Sequence, residues 1–111
     1  MEFQNLIKLT DNNFDDFIQQ SDRPIIVNFY DEWSAVCRYA SVAAQQISKK
    51  YEGHLFVCYV DIDESPLTTI KYGIRIQPTI IFFKNGARAG FLVGAVTEML
   101  MEERFNLEIK N

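Results

Sequence analysis

Three short stretches of this chain are almost wholly apolar: Ile25-Ile26-Val27-Asn28-Phe29-Tyr30, Leu55-Phe56-Val57-Cys58-Tyr59-Val60 and Thr79-Ile80-Ile81-Phe82-Phe83. Runs of that length and composition suit strands covered on both faces, the setting of central strands in a largely parallel sheet. Between them the period changes. From Ser34 onward Val36, Ala40, Ala43, Ile47 and Tyr51 recur at three- and four-residue steps, which predicts a helix with a narrow apolar stripe, stopped at Gly53. A short helix over Leu67–Tyr72, stopped by Gly73, fills the second gap.

The flanks complete the pattern. Leu6-Ile7-Lys8-Leu9 reads as a strand, followed by a helix in which Phe14, Phe17 and Ile18 share a face and Thr10 and Asp11 offer capping oxygens. After the third run, Asn85-Gly86 is a strong hairpin signal, because both residues tolerate the positive φ of a type I′ turn. A return strand over about Arg88–Val93 follows, then a helix capped by Thr97 with Met101, Phe105 and Ile109 at four-residue steps. The order β-α-β-α-β-α-β-β-α predicts an α/β fold: a mixed sheet with an antiparallel edge and helices on both faces.

With 111 residues and 48% of them hydrophobic, the chain is long enough to bury a core without disulfide or metal staples. One domain spanning residues 1–111 is expected. The net charge of -4, with basic residues scattered, argues against nucleic acid or an anionic membrane as partner. Met1-Glu2-Phe3-Gln4-Asn5 lacks the basic-then-apolar pattern of a secretory leader, and no apolar stretch approaches the ~20 residues that span a bilayer. Cys37 and Cys58 fall at a helix start and in mid-strand, so a bridge between them is not expected. A cytoplasmic monomer is the expectation.

At Phe29-Tyr30-Asp31-Glu32-Trp33-Ser34-Ala35-Val36-Cys37 the chain resembles the thioredoxin family, in which an aromatic-ended strand leads into Trp-Cys-Gly-Pro-Cys at the start of a helix. The likeness continues in order through Val60-Asp61-Ile62-Asp63, Lys71-Tyr72-Gly73-Ile74-Arg75, Pro78-Thr79, Phe83-Lys84-Asn85-Gly86 and Val93-Gly94-Ala95. The resemblance implies a thioredoxin fold and protein-disulfide chemistry. It also implies a cis-proline at Pro78, whose preceding residue, Gln77, pairs its backbone with a bound peptide opposite Gly94 and Ala95.

The departures bear on that chemistry. Ser34 stands where the family has its first cysteine, Ala35-Val36 replace Gly-Pro, and Cys37 corresponds to the second thiol. Asn28 corresponds to the family's buried carboxylate, Tyr59 to the lysine near it, and Val42 to the proline of the active-site helix. Dithiol exchange needs one exposed thiolate to attack and a second thiol to resolve the mixed disulfide. A serine hydroxyl cannot take the first part. The helix N-terminus and Arg38 would favour a thiolate at Cys37, whereas Asp31 and Glu32, just upstream, would raise its pKa.

Several residues admit two readings. Cys37 is either a single reactive thiol or a shielded small apolar residue. Asn28 is either a ligand partner or a buried polar group satisfied by backbone or water. Trp33 is either a stacking surface for a bound peptide or a half-exposed aromatic of the fold. Asp61, Asp63 and Glu64 read as a solvated acidic turn, since a hard cation needs six or more oxygens in a defined loop. His54 is the lone histidine, so neither Cys-His catalysis nor a histidine metal site has support, and no cofactor is implied. The expectation is a degenerate redox centre at Ser34 and Cys37. Beside it lies a groove of Trp33, Gln77, Pro78, Gly94 and Ala95 that binds protein or peptide segments. The alternative is a thiol–disulfide oxidoreductase acting through Cys37 alone, or one in which Ser34 replaces a natural cysteine.

Overall fold

The computed structural model describes residues 6–109; the stretch 1–5, read above for a leader, lies outside the described residues, as do residues 110–111. Among the described residues five strands and four helices follow in the order β1 (Ile7–Lys8), α1 (Phe14–Gln20), β2 (Ile25–Tyr30), α2 (Ala35–Lys50), β3 (Phe56–Asp61), α3 (Pro66–Lys71), β4 (Thr79–Lys84), β5 (Ala87–Val93) and α4 (Glu98–Arg104). The sheet order is β1-β3-β2-β4-β5. β1 and β2 run parallel to β3, whereas β4 is antiparallel to both β2 and β5. The Asn85-Gly86 turn has φ of 53° and 79°, as a type I′ hairpin requires.

All six residues of β2 are buried, because helices cover both sides of it. One face packs Ile25, Val27 and Phe29 against Phe14 and Ile18 of α1. There the Phe14 ring lies 5.9 Å from Phe29, 5.1 Å from Tyr72 and 6.0 Å from Phe83. The other face packs Ile26 and Ile80 against Ala40, Ala43 and Ile47 of α2 and Met101 of α4. Phe105 stacks on Phe82 at 5.0 Å. Gly90 makes room for that ring, since a Cβ there would stand 3.2 Å from it.

Three details differ from the sequence reading. Val36 is exposed and the buried stripe of α2 begins at Cys37, because Val36 lies about 100° around the helix from its neighbour. Ile109 lies beyond the end of α4 and is half exposed; the left-handed Asn106, at φ 52°, turns the chain away from helical geometry. Asp11 does not cap α1, whose N-cap residue is Asn13. Its carboxylate instead accepts from the backbone N–H of Leu67 (3.2 Å) and from the N–H and hydroxyl of Thr68 (both 2.8 Å), tying the first loop to the start of α3.

Candidate functional site

The sheet register gathers the candidate residues at one end of the molecule. Phe29 of β2 pairs with Thr79 of β4, and Thr79 pairs with Val93 of β5. The loop leaving β2, the Gln77-Pro78 segment entering β4 and the Gly94-Ala95 segment leaving β5 therefore share an edge. The Gln77-Pro78 peptide is cis. Gly94 donates its N–H to the Pro78 carbonyl at 3.0 Å, tying the two segments together. Pro78 is buried, Gln77 and Gly94 are partly exposed, and Ala95 is exposed.

The loop after β2 is organised by Asp31. One of its carboxylate oxygens accepts from the N–H of Trp33 at 3.0 Å and of Ser34 at 2.8 Å. That leaves the Trp33 ring standing clear, 83% exposed, rather than half-covered as one of its two readings had it. Ser34 is the N-cap residue of α2, and its hydroxyl accepts from the Cys37 N–H at 3.4 Å. The residue in the attacking position thus serves as a helix cap.

Cys37 is wholly buried. Burial is the main cause pushing its thiol above the ordinary cysteine range, with the Asp31 charge adding to it. A backbone hydrogen bond from Asp31 and the Ser34 side chain pull less strongly the other way. The expected upward shift is therefore present, but desolvation dominates it rather than the upstream carboxylates. Cys58 is equally buried, its thiol is also pushed up by burial, and both cysteines are free.

Behind Cys37, Asn28 is fully buried on the α2 side of β2 and donates from Nδ2 to Ser41 Oγ at 3.2 Å. Among the described residues its Oδ1 meets no protein donor. Tyr59 pairs with Asn28 across the strands and packs its ring 6.1 Å from that of Tyr30. Ser41 escaped the sequence reading; its signal was its place one helical turn after Cys37. His54 follows the far end of α2, whose sixteen residues extend about 24 Å, so it offers no base to Ser34 or Cys37.

The acidic turn is less solvated than expected. Asp61 is buried at the end of β3, accepts from the Asp63 N–H at 2.9 Å, and has its carboxyl pushed upward chiefly by burial. Glu64 pairs with Lys8 at 2.9 Å. Among the described residues no group of three or more histidine, cysteine or acidic side chains could hold a metal ion, and no helix is long and apolar enough to cross a membrane.

A helix opening on Ser-x-x-Cys straight after a buried central strand, faced by a cis-proline loop on a sheet of this order, defines a protein of the thioredoxin fold. Comparison with known proteins gives the family: a model described as thioredoxin matches residues 5–106, and the chain belongs to the thioredoxin family. The thioredoxin of Buchnera aphidicola subsp. Baizongia pistaciae is 34% identical over 105 residues, covering 95% of this chain and 96% of that one. That of Rickettsia bellii is 40% identical over 86 residues, covering 78% and 82%. The chloroplastic M-type thioredoxin of Pisum sativum is 35% identical over 96 residues; the match takes in 86% of this chain but 56% of the pea protein.

Proposed function

We propose that this thioredoxin-family protein has lost ordinary dithiol–disulfide exchange and binds extended segments of protein partners through its groove. One observation carries the reading: the position of the attacking thiol holds Ser34, engaged as a helix cap, while the thiol that remains, Cys37, is fully buried. An attacking sulfur must be exposed and readily ionised, and Cys37 is neither. Backbone pairing at Gln77 and apolar contact at Trp33 need no sulfur, so binding can outlast the chemistry. Pro78, Gly94 and Ala95 supply the rest of the groove, and no metal or cofactor is required.

The test is binding of an unfolded, cysteine-blocked protein, reduced and carboxamidomethylated ribonuclease A, followed by fluorescence anisotropy. The expected result is saturable binding weakened at least about fivefold, roughly 1 kcal/mol, by Trp33→Ala and by Ala95→Glu. Both positions are exposed, so both variants should fold. Binding that neither variant changes would overturn the reading. The rival, an oxidoreductase working through Cys37 alone, draws on relatives that are themselves named thioredoxins; rapid labelling of Cys37 in the native protein would favour it.

A further inference from the structure

Beyond the Pro78 corner, the segment after α3 and the last strand enclose a second depression of about 170 Å³. Its walls include Tyr72, Ile76, Phe91 and Val93, with Arg75 and Arg88 among the lining residues. Ile76, Phe91 and Val93 are 59%, 51% and 42% exposed, an apolar surface left in water next to the groove. Val93 precedes Gly94 and pairs with Thr79, so the depression begins where the groove ends.

Two positive charges line it. Although acidic residues outnumber basic ones fifteen to eleven, neither Arg75 nor Arg88 enters an ion pair or hydrogen bond among the described residues. Lys8, Lys50 and Lys71 are each paired with a carboxylate. At the Trp33 end both signs are present, with Arg38 exposed in the first turn of α2. Glu32 is exposed there, while Asp31 is occupied by backbone N–H groups. A segment crossing both regions meets mixed charge first and the two guanidinium groups of Arg75 and Arg88 last. The outer edge of β5 is not free to accept an added strand at this point, because Arg104 Nη1 donates to the Phe91 carbonyl at 3.2 Å.

We propose that this depression takes a large apolar side chain of a bound protein segment, with a neighbouring carboxylate of that segment engaging Arg75 and Arg88. The inference rests on the groove reading above and specifies the partner's chemistry: apolar next to acidic at this end. Guanidinium groups favour carboxylates through charge-assisted, often bidentate hydrogen bonds, and the apolar walls supply area without direction.

The experiment uses fluorescein-labelled, cysteine-free peptides that differ only at the residue after a central leucine: Asp, Asn or Lys. The native chain should bind the Asp peptide about tenfold more tightly than the Lys peptide. The double variant Arg75→Gln with Arg88→Gln should erase that preference while leaving the Asn peptide unchanged. Phe91→Ala should weaken all three alike. These are exposed positions, and circular dichroism of each variant checks the fold. Equal affinity for the three peptides, with binding still lost in Ala95→Glu, would sink this inference and leave the groove reading standing. No binding of any peptide, or binding indifferent to Ala95→Glu, would remove the groove reading and this one with it.

Discussion

The start of α2 and the Pro78 corner sit at the same end of the sheet and are built in different ways. At the start of α2 the hydroxyl of Ser34 caps the helix, Cys37 is buried, and Asn28 and Ser41 form a hydrogen-bonded polar pair behind it. At the Pro78 corner the Gly94–Pro78 hydrogen bond holds the backbone beside exposed side chains, the arrangement proposed above to receive a peptide. Reactivity depends on a few atoms with tuned acidity, whereas a groove depends on backbone shape. Substitutions that abolish the first can leave the second untouched.

The largest effect expected from separating the two regions is at Asn28. Asn28→Asp would bury a carboxylate where Tyr59 supplies no ammonium group, so its folded pKa should rise above the unfolded value of about 3.9. For an acid with a raised folded pKa, stability is retained below the unfolded value and lost as pH climbs toward the folded one. Urea denaturation should show a loss of about 2–4 kcal/mol at pH 7, largely recovered near pH 4, with peptide binding by the folded protein unchanged. A variant as stable at pH 7 as the parent would mean that the buried site still accommodates the family's carboxylate.

Gly94 probes the opposite region. Its φ of 86° is a left-handed conformation, and nothing lies within 4 Å of where a Cβ would stand, so the strain on an added side chain is conformational rather than steric. Gly94→Ala should cost about 1–2 kcal/mol and weaken peptide binding as well, a pairing that Asn28→Asp should not show. Smaller still is Ser34→Ala. The cap bond is long, 3.4 Å, so its loss should cost about 0.5–1 kcal/mol in urea denaturation, with no change in peptide affinity. A loss of affinity there would break the separation of the two regions.

Much of this was legible in the residues themselves. The three apolar runs became the three central strands because nothing but a doubly covered sheet accommodates them, and Asn85-Gly86 formed the expected hairpin. Single-helix periodicity misplaced Val36 and Ile109, since it cannot tell where a helix starts its buried stripe or stops. The long-range contacts were beyond reach. Asp11 caps a helix more than fifty residues away, and Ser41 becomes Asn28's partner only when α2 lies across β2. At the site, the serine for cysteine could be read directly. The burial of Cys37, the freedom of Trp33 and the unpaired Arg75 and Arg88 required the fold.

The decisive measurement is turnover of insulin disulfides, with dithiothreitol as electron donor, by the protein as it stands and by Ser34→Cys. The native chain should give no rate above dithiothreitol alone. The variant, with a thiol at the N-terminus of a sixteen-residue helix, should exceed that background by at least about tenfold. Turnover by the unaltered chain would contradict the account, because sulfur would then be exchanging at a place where the only candidate, Cys37, is sealed from solvent.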